Sequence, residues 1–228
     1  AHWPMKTNYT AWDVCVQDFP ERAPEREQLE FLLKFAVLAP SSHNSQPWSF
    51  RVRELAIEVW VEPSRRLRAS DTNDRELFIS LGCAITNIAV AADYYGYAPK
   101  IQYMPNAHEP DLAAVISFSG TAALREDVNH LIHTIPRRVN NRNPYEERMP
   151  PAALFAEMQS CKTPDMAIAV VSETGEKRAL ADVAVRAGVA AMEDAGFRRE
   201  LSEYVKPNVT KSPVGMPAFG MGIPTPIS

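Results

Sequence analysis

Between an amphipathic stretch and an alternating one, the chain carries Ala39-Pro40-Ser41-Ser42-His43-Asn44-Ser45-Gln46-Pro47-Trp48, and no other segment restricts its fold as strongly. Three hydroxyls and two carboxamides lie between two prolines. Such a segment cannot run through a packed core, where its polar groups would go unpaired. It is also longer and richer in donors than a plain connector of about 2–6 residues. Ser and Asn bond their own backbone readily, so a long capped turn is one reading. A loop that holds a ligand is the other.

The flanking pattern sets the fold class. Leu29, Leu32, Leu33, Ala36 and Val37 recur at helical spacing over residues 25–38, and Pro40 ends that helix. Residues 48–52 and 56–61 alternate apolar and polar, which predicts an antiparallel pair. A long helix is expected over 73–95, capped by Asp71 or Thr72, with Leu77, Leu81, Ala84, Ile85, Ile88, Ala92 and Tyr95 in one stripe. Its small residues (Gly82, Ala84, Ala89, Ala91, Ala92) suit close approach by another helix, in a core or at a subunit contact. Strands are expected at 101–104, 112–118 and 166–171, and helices at 124–134, 151–159, 175–192 and 194–205. Helices around a small, mainly antiparallel sheet make an α+β domain. The chain divides into an irregular segment 1–24, a domain 25–205, and a Pro/Gly-rich tail or incomplete C-terminal part at 206–228. That last part has no periodicity and holds Pro207, Pro213, Pro217, Pro224 and Pro226.

Composition removes several function classes. At 228 residues the chain can bury about 70% of its unfolded surface without staples. Cys15, Cys83 and Cys161 are widely spaced and odd in number, against a disulfide scaffold or thiolate metal site. A net charge of −4 argues against a nucleic-acid partner. No apolar run approaches the roughly 20 residues of a membrane span, and no signal-peptide pattern opens the chain. A cytoplasmic location with no membrane partner is expected. No GxGxxG follows a strand, so a Rossmann-bound dinucleotide is not indicated. His130 and His133 stand at i, i+3 without a third ligand, so no metal site is expected.

The loop at 39–48 is similar to the flavin-binding loop of the FMN-dependent nitroreductase family. That loop reads Ala/Ser-Pro-Ser-Ser-x-Asn-x-Gln-Pro-Trp in the same helix–loop–strand setting. The resemblance implies a nitroreductase-like α+β fold that binds FMN non-covalently across a homodimer interface. It also implies Pro40, Ser41, Ser42, Asn44 and Gln46 as cofactor-binding residues. Asn73-Asp74-Arg75-Glu76-Leu77 resembles a second family element, in which the Asn contacts the flavin; this implies a role for Asn73. Glu76 stands where that element has a Lys, an exchange that weakens attraction for a phosphate dianion.

Arg137-Arg138-Val139-Asn140-Asn141-Arg142-Asn143-Pro144-Tyr145 gathers three guanidiniums and three amides between prolines. Arg suits bidentate phosphate recognition, so Arg138 and Arg142 are the phosphate candidates. The Arg-x-x-Asn-Arg pattern resembles the Acg-like, mycobacterial dormancy-associated branch of the family. So does the sequence Asp-x-x-x-Arg-Glu-Leu-x-Ile-Ser-x-Gly-x-Ala that begins at Asp71. The likeness covers residues 27–150 well, and 190–224 more loosely through Phe197-Arg-Arg-Glu-Leu201 and Gly215-Met-Pro217. Two departures stand out. Active family members carry an Arg-x-Ser phosphate clasp before the first helix, and residues 9–14 contain no Arg. Members of the Acg-like branch are also longer, so completing C-terminal elements are expected beyond this chain.

The implied activity is hydride transfer from NAD(P)H, a transient donor, through the flavin to a small-molecule acceptor such as a nitroaromatic, quinone or enone. The cofactor would carry that chemistry and no catalytic side chain is expected. The alternative is a non-catalytic protein that sequesters FMN.

Overall fold

The computed structural model describes residues 10–121, 130–141 and 144–223. Helix α1 (Glu25–Ala36) opens with Glu25 and Glu27 in its first turn, where acidic side chains favour the helix dipole. It buries Leu29, Leu32, Phe35 and Ala36 completely. After the loop come β1 (Trp48–Arg53) and β2 (Ala56–Val61), paired antiparallel with Trp48 opposite Val61, as the alternation predicts. Helix α2 (Arg75–Tyr94) follows, and Gly96 at φ 83° turns the chain directly into β3 (Tyr97–Tyr103). β4 (Leu112–Thr121) completes a four-stranded antiparallel sheet of order β1-β2-β4-β3. A register shift between Val59 and Trp60 bends the β2–β4 pair.

One face of this sheet carries both helices. Ile57, Val59, Ala114 and Ile116 have no exposed surface, and neither do Ala84, Ile88, Ala91 and Ala92 of α2. Burying an Ile or Leu side chain of this kind contributes roughly 1.5–3 kcal/mol. The small residues of α2 are thus explained by its packing against α1, where Asn87 Nδ2 also donates to the Phe35 carbonyl at 3.0 Å. α2 is the one described helix long and apolar enough to cross a membrane by length and composition, and its apolar stripe lies in this core. The mixed helix and antiparallel sheet is α+β, as expected.

β3 begins four residues before the expected strand. Pro99 masks it in the sequence, but β3 is an edge strand, where the missing N–H is tolerated. A helical turn α3 (Leu131–Thr134) and a 3₁₀ turn (Ile135–Arg137) match the end of the helix expected at 124–134; the start of that helix lies outside the described residues.

The chain forms two compact units, one of residues 1–141 with 199–228 and one of 142–198. The second holds α4 (Ala152–Ser160), α5 (Thr174–Glu193) and the start of α6 (Ala195–Tyr204), close to their expected limits. The strand expected at 166–171 does not form. Apart from an isolated bridge between Thr163 and Met166 the run has no strand partner, and Met166, Val170 and Val171 are exposed. An apolar run becomes a strand only when another strand satisfies its backbone.

In the first unit, residues 205–223 are irregular yet tied down. Val205–Lys206 (β5) pairs in parallel with Met216–Pro217 (β6), and Ala218 is buried. Gly215 sits at φ +100°, and a Cβ there would lie 2.6 Å from the Tyr204 carbonyl oxygen, so only glycine fits.

Candidate functional site

The loop between α1 and β1 is a tight, strained turn. Asn44 N donates to Ser41 O at 3.0 Å and Ser45 N to Ser42 O at 2.9 Å, winding Ser42–Asn44 into a 3₁₀ turn. His43, Asn44 and Gln46 take φ values of 54°, 51° and 51°. Left-handed backbone costs an L-residue roughly 1–2 kcal/mol, somewhat less for Asn. The turn keeps this shape because its neighbours over-determine it. Gln46 N donates to Ser41 Oγ at 3.0 Å, closing the loop on itself. Arg65 Nη1 donates to the Gln46 carbonyl at 2.8 Å. Ser45, Pro47 and Trp48 are buried beneath.

Two carboxamides clamp the 213–215 segment. Asn44 Nδ2 donates to Pro213 O at 3.0 Å and to Gly215 O at 2.8 Å. Gln46 Nε2 donates to Pro213 O at 2.6 Å, and Gly215 N returns a bond to Asn44 O at 3.0 Å. The loop and the proline-rich stretch are one local assembly.

The start of α2 forms the facing wall. Buried Asp71 caps it, accepting from Glu76 N at 3.1 Å and Leu77 N at 2.8 Å. Glu76 turns one carboxylate oxygen toward Ser42 Oγ at 3.5 Å and the other to Arg75. A small enclosed space lies between Ser42, Ser45, Arg65, Asp71 and Ser80. Its volume of about 10 Å³ suits one water and no ring. Before Asp71, Glu200 of α6 holds the chain, accepting from Ala69 N and Ser70 N at 2.9 Å each and from Ser70 Oγ at 2.6 Å. Burial opposes its ionisation, but the Ser70 hydroxyl, the two N–H donors and nearby His43 outweigh that and leave its pKa below the ordinary 4.5.

The structure therefore brings Ser41, Ser42, Asn44 and Gln46 together beside the start of α2, with Pro40 entering the turn. Asn73 stands at that helix start, but its side chain bonds locally, accepting from Arg75 N at 3.3 Å. Arg138 lies against the exit of α1, donating to Leu38 O at 3.4 Å and to Asn140 Oδ1 at 2.9 Å. Arg142 lies outside the described residues. Arg65 and Glu200 were not singled out from the sequence. Arg65 sits in a turn whose three arginines look alike, and Glu200 acts across 130 positions, a separation no local pattern encodes.

As a donor set, two hydroxyls, two carboxamides and a guanidinium suit a polyhydroxyl chain and a polar ring edge. Both amide hydrogens of Asn44 are committed to Pro213 and Gly215. What Asn44 can offer a ligand is its oxygen.

Comparison with known proteins finds relatives over part of the chain. No family model matches the chain. It is 34% identical over 122 residues to "Putative NAD(P)H nitroreductase Rv3131" of Mycobacterium tuberculosis, covering 54% of this chain and 35% of that protein. It is 27% identical over 128 residues to "Putative NAD(P)H nitroreductase acg" of the same organism, covering 56% of this chain and 39% of that protein. A longer match, 24% identical over 186 residues, is to "Uncharacterized protein Rv3127", covering 78% of this chain and 54% of the other. The chain is thus a relative of proteins named as nitroreductases, Acg among them. It spans about half the length of these curated relatives or less.

Proposed function

We propose that this chain is the flavin-holding part of an NAD(P)H-dependent oxidoreductase with a nitroreductase-like fold, and that its cofactor is FMN. One observation carries the reading. Three non-glycine residues of the 39–48 loop take left-handed backbone, and bonds with Ser41, Arg65 and the 213–215 segment hold two of them, Asn44 and Gln46, in place. Strain that the surroundings over-determine in this way gathers at ligand sites. Relatives whose names include NAD(P)H nitroreductase add support.

When bound, the flavin supplies two-electron chemistry between NAD(P)H and a nitroaromatic, quinone or enone acceptor. The chain's part is to bind and orient it. Ser41, Ser42, the Asn44 oxygen and Gln46 would receive the ring edge and the hydroxylated chain, with Pro40 shaping the entry and Asn73 secondary. Arg138 and Arg142 would balance the phosphate charge, with Arg65 as a third cation close to the loop. A second copy of the chain would complete the site, meeting the outer face of α2 where Phe78 and Ile79 are exposed.

Titration of the purified chain with FMN, followed by flavin fluorescence, tests the reading. Saturable quenching that weakens in a Ser41→Ala/Ser42→Ala variant supports it. No saturation, or equal affinity in the variant, overturns it. Anaerobic NAD(P)H then separates turnover, seen as bleaching near the visible flavin band, from a protein that only sequesters FMN.

A further inference from the structure

A second, roomier cavity of the first unit lies away from the loop. It opens at the other ends of the two core helices, with a volume of about 990 Å³, and five aromatic rings line it: Phe19, Tyr94, Tyr95, Tyr97 and Phe118. Phe19 stacks on Tyr95 with centroids 3.9 Å apart and planes 8° apart, while Tyr94 meets Tyr95 edge-on at 5.0 Å. Both central phenols are already satisfied. The Tyr95 hydroxyl donates to Val16 O at 2.9 Å and the Tyr97 hydroxyl to Gln28 Oε1. Gln28 is itself fixed by its donations to Glu21 O and Ala23 O, both at 2.9 Å. The rings are therefore set in place before any ligand arrives.

Among the described residues, the charges lining this cavity have one sign. Glu21 and Glu25 line it, and no Lys or Arg does among the described residues. We propose that this cavity binds a small organic cation with an apolar or aromatic body, such as an arylalkylammonium. The rings would take the body and share the cation through their negative faces, and Glu21 and Glu25 would complete its charge. The negative field is felt inside: burial and then Glu25 raise the Tyr97 pKa above its ordinary value. A cavity of this size with apolar walls and a few convergent polar groups is what small-molecule sites look like. The site is remote from the 39–48 loop and stands whether or not that loop holds flavin.

Three probes of one shape test the charge: 2-phenylethylammonium, neutral 2-phenylethanol and anionic phenylacetate, each titrated into the whole chain by calorimetry. The cation is expected to bind saturably, the alcohol more weakly and the carboxylate not at all. Glu21→Gln and Glu25→Gln, both at exposed positions, should each weaken the cation by about fivefold. Phe19→Ala should weaken cation and alcohol alike. Equal binding of all three probes, an affinity for the cation unchanged in the Glu21→Gln/Glu25→Gln double variant, or no saturation by the cation would each overturn the proposal.

Discussion

Asn44→Ala should release the 213–215 segment from the loop, and the size of the effect follows from the geometry. The substitution removes two N–H···O bonds, of 3.0 and 2.8 Å, to the Pro213 and Gly215 carbonyls. Each contributes about 0.5–1.5 kcal/mol net. It also places alanine at φ 51°, where Asn is tolerated far better, adding about 1 kcal/mol. Together these come to about 2–4 kcal/mol of local opening energy. Hydrogen exchange at the Gly215 amide, bonded to Asn44 O at 3.0 Å, reads that energy directly. Its exchange should speed up roughly thirtyfold or more. Asn44→Gly separates the two causes, because it loses the same bonds without the backbone penalty, and should be milder by about 1 kcal/mol. If alanine and glycine give the same small acceleration, under about twofold, the carboxamide does not hold this segment and the reasoning fails.

The other expectations are briefer. Glu200 has a depressed folded-state pKa, so its stabilisation is present above the ordinary 4.5 and disappears as pH falls through the folded value; thermal stability of Glu200→Gln should therefore fall less between about pH 5 and 3 than that of the parent chain. Asp71→Ala removes a buried cap with two backbone bonds and should destabilise the first unit by about 1–2 kcal/mol, read as faster exchange at Glu76 and Leu77. Arg138→Ala and Arg142→Ala should each weaken FMN more than riboflavin, since a charge-assisted bond contributes about 1.5–3 kcal/mol and only FMN carries the phosphate; equal losses for both flavins would make the arginine-rich stretch structural. Light scattering should give about twice the 25.4 kDa protomer mass, and a monomer at high concentration would remove the homodimer.

What could be read from the sequence was local and periodic. The stripe from Leu77 to Ala92 placed α2, and the alternation through Ile57, Val59 and Val61 placed β2 and its buried face. Pro40 and Pro47 delimited the loop. What was missed depends on partners far along the chain. Pro99 hid the start of an edge strand, and the apolar run at 166–171 suggested a strand that has no neighbour to pair with. Residues 206–223 look like a tail because they lack periodicity, yet Asn44 and Gln46 hold them through side-chain bonds to backbone carbonyls. For the site, the residue types were legible and their division of labour was not. Asn44 and Gln46 are donors with committed partners, Asn73 caps locally, and Arg65 supplies the cation nearest the loop.

The claim that the 39–48 loop holds a flavin is tested most directly by FMN binding to the purified chain, beside a Ser41→Ala/Ser42→Ala variant of intact fold. One FMN per protomer is expected, with its fluorescence quenched, and an affinity about tenfold weaker in the variant, since two hydroxyl bonds are lost. A chain that leaves FMN fluorescence unchanged, or a variant that binds as tightly as the parent, would contradict the assignment.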